Sequence, residues 1–190
     1  MVGFFIDRVR GPWVVALNVA AFAYGWLMLQ TLPQWRALGA AAGGNELQAR
    51  VFYDPATAAQ VLGGYDAALR QAAFTFYGLD LVNAALFALS VGALMAFGLR
   101  QVRWERSVAR FVILAPLAAG AFDMLENAAL AAALATGAGE AGPLHAAAGV
   151  LTALKMTATM VSLPLMLVLT LAGVAAWLWR RFKPTPGAGA

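Results

Sequence analysis

The sequence has no cysteine, a single histidine (His145), and only 12% charged residues in a chain of 190. The absent cysteines exclude disulfides, thiolate metal sites, haem attachment through C-x-x-C-H and cysteine nucleophiles. One histidine leaves no E-x-x-H pair for a carboxylate-bridged metal, so no metal and no cofactor is expected. The charged fraction is about half that of a soluble domain. With it go 62% hydrophobic residues and a mean hydropathy of +0.73, which predict an integral membrane protein. A net charge of +4 would suggest a nucleic-acid partner in a soluble chain, but here the arginines flank apolar runs, where topology accounts for them. No nucleic-acid partner is expected.

Four runs are long enough to cross a hydrocarbon core of roughly 30 Å at 1.5 Å per residue. They cover about residues 12–32, 79–99, 111–136 and 144–179, the last being long enough to tilt or project. A signal peptide is the rival reading of the first run, but the apolar stretch continues through Trp26, Leu27, Met28 and Leu29, which favours an uncleaved span. Basic residues gather at Arg8 and Arg10, at Arg100 to Arg110, and at Arg180, Arg181 and Lys183, against Arg36, Arg50 and Arg70 on the opposite side. The positive-inside rule then predicts an all-α four-helix bundle with both termini cytoplasmic. Residues 33–78 form the outer segment, in which Asp54-Pro55 opens a helix interrupted at Gly63-Gly64. We expect this helix to lie in the interface, with Arg70, Phe74 and Tyr77 near the headgroups, although a solvated loop fits the composition as well. Residues 183–190 read as a disordered tail.

Against this background the stretch AGAFDMLENAALAAALA places Asp123, Glu126 and Asn127 inside the third span. Their i, i+3, i+4 spacing puts them on one helix face. Asp80 and Asn83 share a face of the second span, and Thr152, Lys155, Thr159 and Ser162 form a stripe on the fourth that begins near His145. If the third and fourth spans form an antiparallel hairpin turning near Glu140, Glu126 faces Lys155 and Asp123 faces about Ala158 or Thr159. Asn83 falls at the same depth, and Asn18 of the first span somewhat below. Three carboxylates against one lysine leave two negative charges over. Protonation, an inward-reaching Arg70 or His145, or a bound cation would restore balance.

These groups are either glue that fixes helix register or the wall of a site. For a site, Glu126 and Asp123 would be proton donor, acceptor or anionic anchor, Lys155 the counter-ion, and Asn127, Asn83, Asp80, Thr159 and Thr152 the ligand-binding partners. The ligand would be a lipophilic small molecule, with membrane lipid as the standing partner. A Schiff-base role for Lys155 has little to support it in four spans. Pro116 and Pro164 are read as kinks. A proton- or cation-coupled carrier acting as a homo-oligomer, and an accessory subunit of a larger membrane complex, are the alternatives.

The stretch FDMLENAAL, with TALKM in the fourth span and LGGYDAALRQAAFTFYGLDL before the second, resembles a group of small bacterial four-span membrane proteins that carry an F-D-x-x-E-N signature. The resemblance covers about residues 53 to 165 in layout, and its specificity lies in the span-three motif. It implies a bacterial inner-membrane location and a shared site at Asp80, Asp123, Glu126, Asn127 and Lys155, and no particular reaction. Asn83-Ala84 departs from the Phe-Pro pair common in that group, which argues against a kink there. Bundles of the sterol-isomerase and sigma-2-receptor kind offer an analogy of architecture alone.

Overall fold

A computed structural model describes residues 2–8, 11–44, 46–137 and 139–183. Arg10 and most of the expected tail, residues 184–190, lie outside them. Among the described residues there is no strand; the chain is a series of helices: α1 (Val2–Arg8), α2 (Gly11–Thr31), α3 (Pro33–Ala41), α4 (Pro55–Gly63), α5 (Ala67–Gln101), α6 (Leu114–Thr136) and α7 (Pro143–Phe182). Short 3-10 turns at Leu47–Ala49 and Val108–Ile113 precede α4 and α6. Four of the helices are long and apolar enough to cross a membrane, which fits a membrane helix bundle.

The helix starts follow local chemistry. Pro33 and Pro55 occupy first-turn positions where a missing N–H costs nothing. Asp54 and Asp66 cap their helices by accepting from the N–H groups of Thr57 (2.7 Å) and Leu69 (2.8 Å). The break expected at Gly63-Gly64 is present between α4 and α5, and α5, capped by Asp66, runs as one uninterrupted helix from Ala67 into the second apolar run, passing Asn83-Ala84 without a break. Pro116 is corrected. It sits in the first turn of α6, where proline leaves no carbonyl orphaned, whereas Pro164 is inside α7.

Helices α5, α6 and α7 pack against one another, and α2 packs on α5. Close approach requires small residues at the crossings. A Cβ on Gly120 would overlap Ala84 and Ala88, and one on Gly98 would overlap the Leu169 carbonyl, with Gly173 packed on the Gly98 backbone. These pairings run α5 antiparallel to α6 and parallel to α7. By contrast α2 leaves Trp13, Val19, Phe22 and Trp26 mostly exposed.

The segment between α2 and α5 is a packed cap. Leu38, Leu47, Leu62, Tyr53 and Tyr65 are buried in one core with Phe76, Tyr77 and Leu130. Tyr77, expected near the headgroups, is therefore in the core, because the cap lies over the first turns of α5. Phe74 is partly exposed, and the Arg70 Nε–H is turned back onto the Tyr65 carbonyl at 3.1 Å.

Candidate functional site

The cap also carries a strap, residues 46–53, that dips into the end of the bundle. Gly149 of α7 has no Cβ where the Tyr53 carbonyl approaches; any side chain there would collide with it. The strap thereby sets Gln48 and Tyr53 against the polar faces of α6 and α7. Lys155 lies twelve residues into α7 and Glu126 ten from the end of α6, so the network sits about 15–18 Å below the cap end of these helices.

Lys155 holds the centre. Its Nζ is 2.5 Å from Glu126 Oε2 and 3.1 Å from Asp123 Oδ1, and it donates to the Gln48 carbonyl at 3.2 Å. Two hydrogen bonds, to Asp123 and to the Gln48 carbonyl, and the ion pair with Glu126 hold this ammonium. This is a charged lysine locked in place, the opposite of the neutral amine a Schiff base needs. The expected facing of Glu126 and Lys155 is present, and Asp123 shares the same ammonium instead of pointing a turn further along.

Glu126 is fully buried, and its Oε1 also accepts from Tyr53 Oη at 3.1 Å. Thr152 Oγ1 lies 2.6 Å from that oxygen and 2.9 Å from the Ala148 carbonyl, so its one proton serves one of the two. Asp80 is treated differently. Its Oδ1 accepts from Asn83 (3.0 Å) and its Oδ2 from Asn127 (3.1 Å), while Asn127 Oδ1 accepts from Gln48 Nε2. Two neutral amides, and no cation among the described residues, hydrogen-bond this buried carboxylate.

Asp80, Asn83, Asp123, Glu126, Asn127, Thr152 and Lys155 thus form one hydrogen-bonded layer. Thr159 lies beside it on a cavity of about 420 Å³. The polar wall of this cavity includes Asn18, Asn83, Asp123, Lys155 and Thr159, with Gln48 at the cap side. Phe22, Phe87 and Met156 supply the apolar wall. Asn18 lines the cavity from below the layer, as expected, its Nδ2 donating to the Ser90 carbonyl at 3.4 Å, two turns along α5 from Asn83. Phe22 is 73% exposed, so the cavity opens sideways along α2. Asp123 keeps 18% of its side-chain surface accessible, whereas Glu126 keeps none.

Neither expected outside cation reaches the layer. His145 Nδ1 accepts from the Gly142 N–H at 3.2 Å and closes the first turn of α7. Arg70 stays on the cap. Among the described residues no group of three or more His, Asp or Glu side chains is arranged to hold a metal ion.

Sequence reasoning missed the strap. Glu46, Gln48 and Tyr53 lie in a stretch with no periodicity, and only the Gly43-Gly44 turn, with both φ angles positive (78° and 112°), marks the chain's reversal there. Glu46 is 1% exposed, and its Oε2 accepts from the Gln48 N–H at 2.6 Å. Burial, the dominant cause, pushes its carboxyl up to about 7, against the opposing pull of that hydrogen bond. Burial and the nearby Glu126 raise the Tyr53 hydroxyl as well, so Tyr53 is a hydrogen-bond donor and not a phenolate. Glu46 Oε1, Tyr65 Oη and Tyr77 Oη are buried with no protein partner, the kind of group that buried water serves.

No family model, curated protein or solved structure matches this chain. Fold and site define its class by themselves: an all-helical chain, four of whose helices can cross a membrane, with an ion network beside a cavity at their centre.

Proposed function

We propose that this is a multi-pass inner-membrane protein that binds, from within the bilayer, a lipophilic small molecule in the cavity between α2 and α7. Both termini are cytoplasmic, as the arginine distribution favours, and the cap covers the outer mouth with its short helices near the interface. The observation that carries the reading is the 420 Å³ cavity, a volume within the range of small-molecule sites, with a charged layer at one wall and an exposed phenylalanine at its rim. Helix packing accounts for the buried ion pair but leaves the cavity without a purpose.

Asp123 is the ligand-facing group, being the accessible carboxylate, and any proton transfer to or from the ligand passes through it. Glu126 and Lys155 hold it: Lys155 supplies positive charge next to Asp123, and Glu126 fixes the lysine. Asn83, Asn18 and Thr159 orient polar atoms of the ligand, while Asn127, Asp80 and Thr152 keep the layer rigid. The F-D-x-x-E-N resemblance supports a shared site at these positions. A carrier has less in its favour, since the Gly98 and Gly173 crossing closes the far end of the bundle.

Mass spectrometry of lipophiles extracted from the purified protein tests this. Wild type should carry one enriched small lipophile, and Ala21→Phe, which fills the cavity from α2, should lose it at least tenfold while melting as wild type does. A blank extract, or equal loading of the filled variant, would refute the site.

A further inference from the structure

The cavity does not end at the charged layer. A smaller chamber of about 160 Å³ adjoins it, and both are lined by Gln48, Asn83, Asp123 and Lys155. The chamber's remaining wall is Met28, Trp35, Phe76 and Asp80. The Trp35 and Phe76 ring centroids are 5.1 Å apart and inclined at 32°, and both residues line the chamber together with Asp80 and Asp123.

Charge decides what fits such a chamber. Lys155 Nζ is ion-paired to Asp123 and Glu126 and donates to the Gln48 carbonyl, so an anion here would compete with two carboxylates for it. Its one positive charge is already shared by two carboxylates. Asp80 remains, neutralised only by amide dipoles. An anionic or neutral polar head would leave that surplus uncompensated in a low dielectric. A cation would find two carboxylates and two aromatic residues in the same lining, the residue set that recognises ammonium groups.

Building on the cavity proposed above, we infer that its ligand is a cationic amphiphile, with an amine or quaternary ammonium head in the small chamber between Asp80, Asp123 and Trp35, and an apolar body along Phe22 and Phe87. The strap closes the chamber from the cap side through Gln48, so the head enters from the cavity and not from outside. The strap sequence thereby limits the size of the head.

The test is a charge series on the full chain in lipid nanodiscs, by calorimetric titration referenced to empty discs. The probes are octyltrimethylammonium, whose charge does not titrate, its neutral isostere with carbon in place of nitrogen, and octanoate. The ammonium should bind saturably and at least tenfold more tightly than either analogue. Asp80→Asn and Asp123→Asn should each weaken it at least tenfold and leave the neutral isostere unchanged. The wild-type series decides alone if either variant fails to fold. Equal or tighter binding of the neutral or anionic probe would overturn the cationic head and leave the cavity standing, and absence of saturable binding by all three would overturn the cavity as well.

Discussion

The two ends of the bundle solve the same packing problem with different materials. At the end far from the cap, Ile6, Met95, Leu99, Ile113 and Leu169 make a dry core, and glycines let α5 and α7 touch backbone to backbone. Charged groups there stay nearer the rim, as where Arg100 Nη1 donates to the Ile6 carbonyl at 2.9 Å and Arg180 donates to Gln101, and the buried Ser162 hydroxyl donates within its own helix to the Ala158 carbonyl. At the cap end the same three helices are held apart by acid, amide and ammonium groups, and a strap is needed to complete their hydrogen bonds. A dry crossing shows that these helices associate without buried charge. The charged layer is therefore an addition to the fold, made where a cavity opens.

That contrast breaks most sharply at Lys155. Lys155→Met leaves Asp123 and Glu126 facing each other without a cation and should cost about 3–5 kcal/mol, read as a fall in melting temperature or loss of folded protein. Adding Glu126→Gln should recover part of it, whereas a lysine that mattered only for packing would show no recovery. In the dry half, Gly98→Val drives a branched side chain into the Leu169 backbone and should cost about 3 kcal/mol. The folded fraction should bind ligand as wild type does, and a parallel loss of binding would mean that the halves are not independent.

Glu46 sharpens the comparison through pH. Its carboxyl is held near 7 in the folded chain against an ordinary 4.5. As pH rises the unfolded chain ionises first, so stability falls between about 4.5 and 7 and the full penalty stands above that. Glu46→Gln should flatten this slope and raise stability at pH 8 by about 2–3 kcal/mol, followed by melts across pH. An unchanged slope would place the titration elsewhere. The smallest effect belongs to Thr152→Val, which keeps the shape and removes one hydroxyl from Glu126, for about 1 kcal/mol.

The polar faces were legible because helical spacing is a strong constraint. Asp123, Glu126 and Asn127 cannot avoid a common face, and counting along an antiparallel hairpin is enough to set Glu126 against Lys155. Hairpin counting missed the reach of a lysine, whose four-carbon stem lets one ammonium serve Asp123 and Glu126 together. The depth count also set Asn18 below the layer, and its Nδ2 reaches the Ser90 carbonyl two turns beyond Asn83. The strap had no legible signal. Glu46, Gln48 and Tyr53 have neither period nor motif, and the bonds of Gln48 and Tyr53 to α6 and α7 span 73 to 107 residues.

Composition and period alone determined that this chain has four apolar helices, that three of them carry a polar face, and that the carboxylates outnumber the lysine. They did so because hydropathy and the 3.6-residue repeat act locally, within one helix. Tertiary structure decided that the missing partners come from the cap, that Glu126 is sealed while Asp123 faces a cavity, and that the amides of Asn83 and Asn127 hydrogen-bond Asp80. Those outcomes depend on where a backbone with no Cβ at Gly149 allows Tyr53 to lie, and such steric fit between distant segments has no local signature.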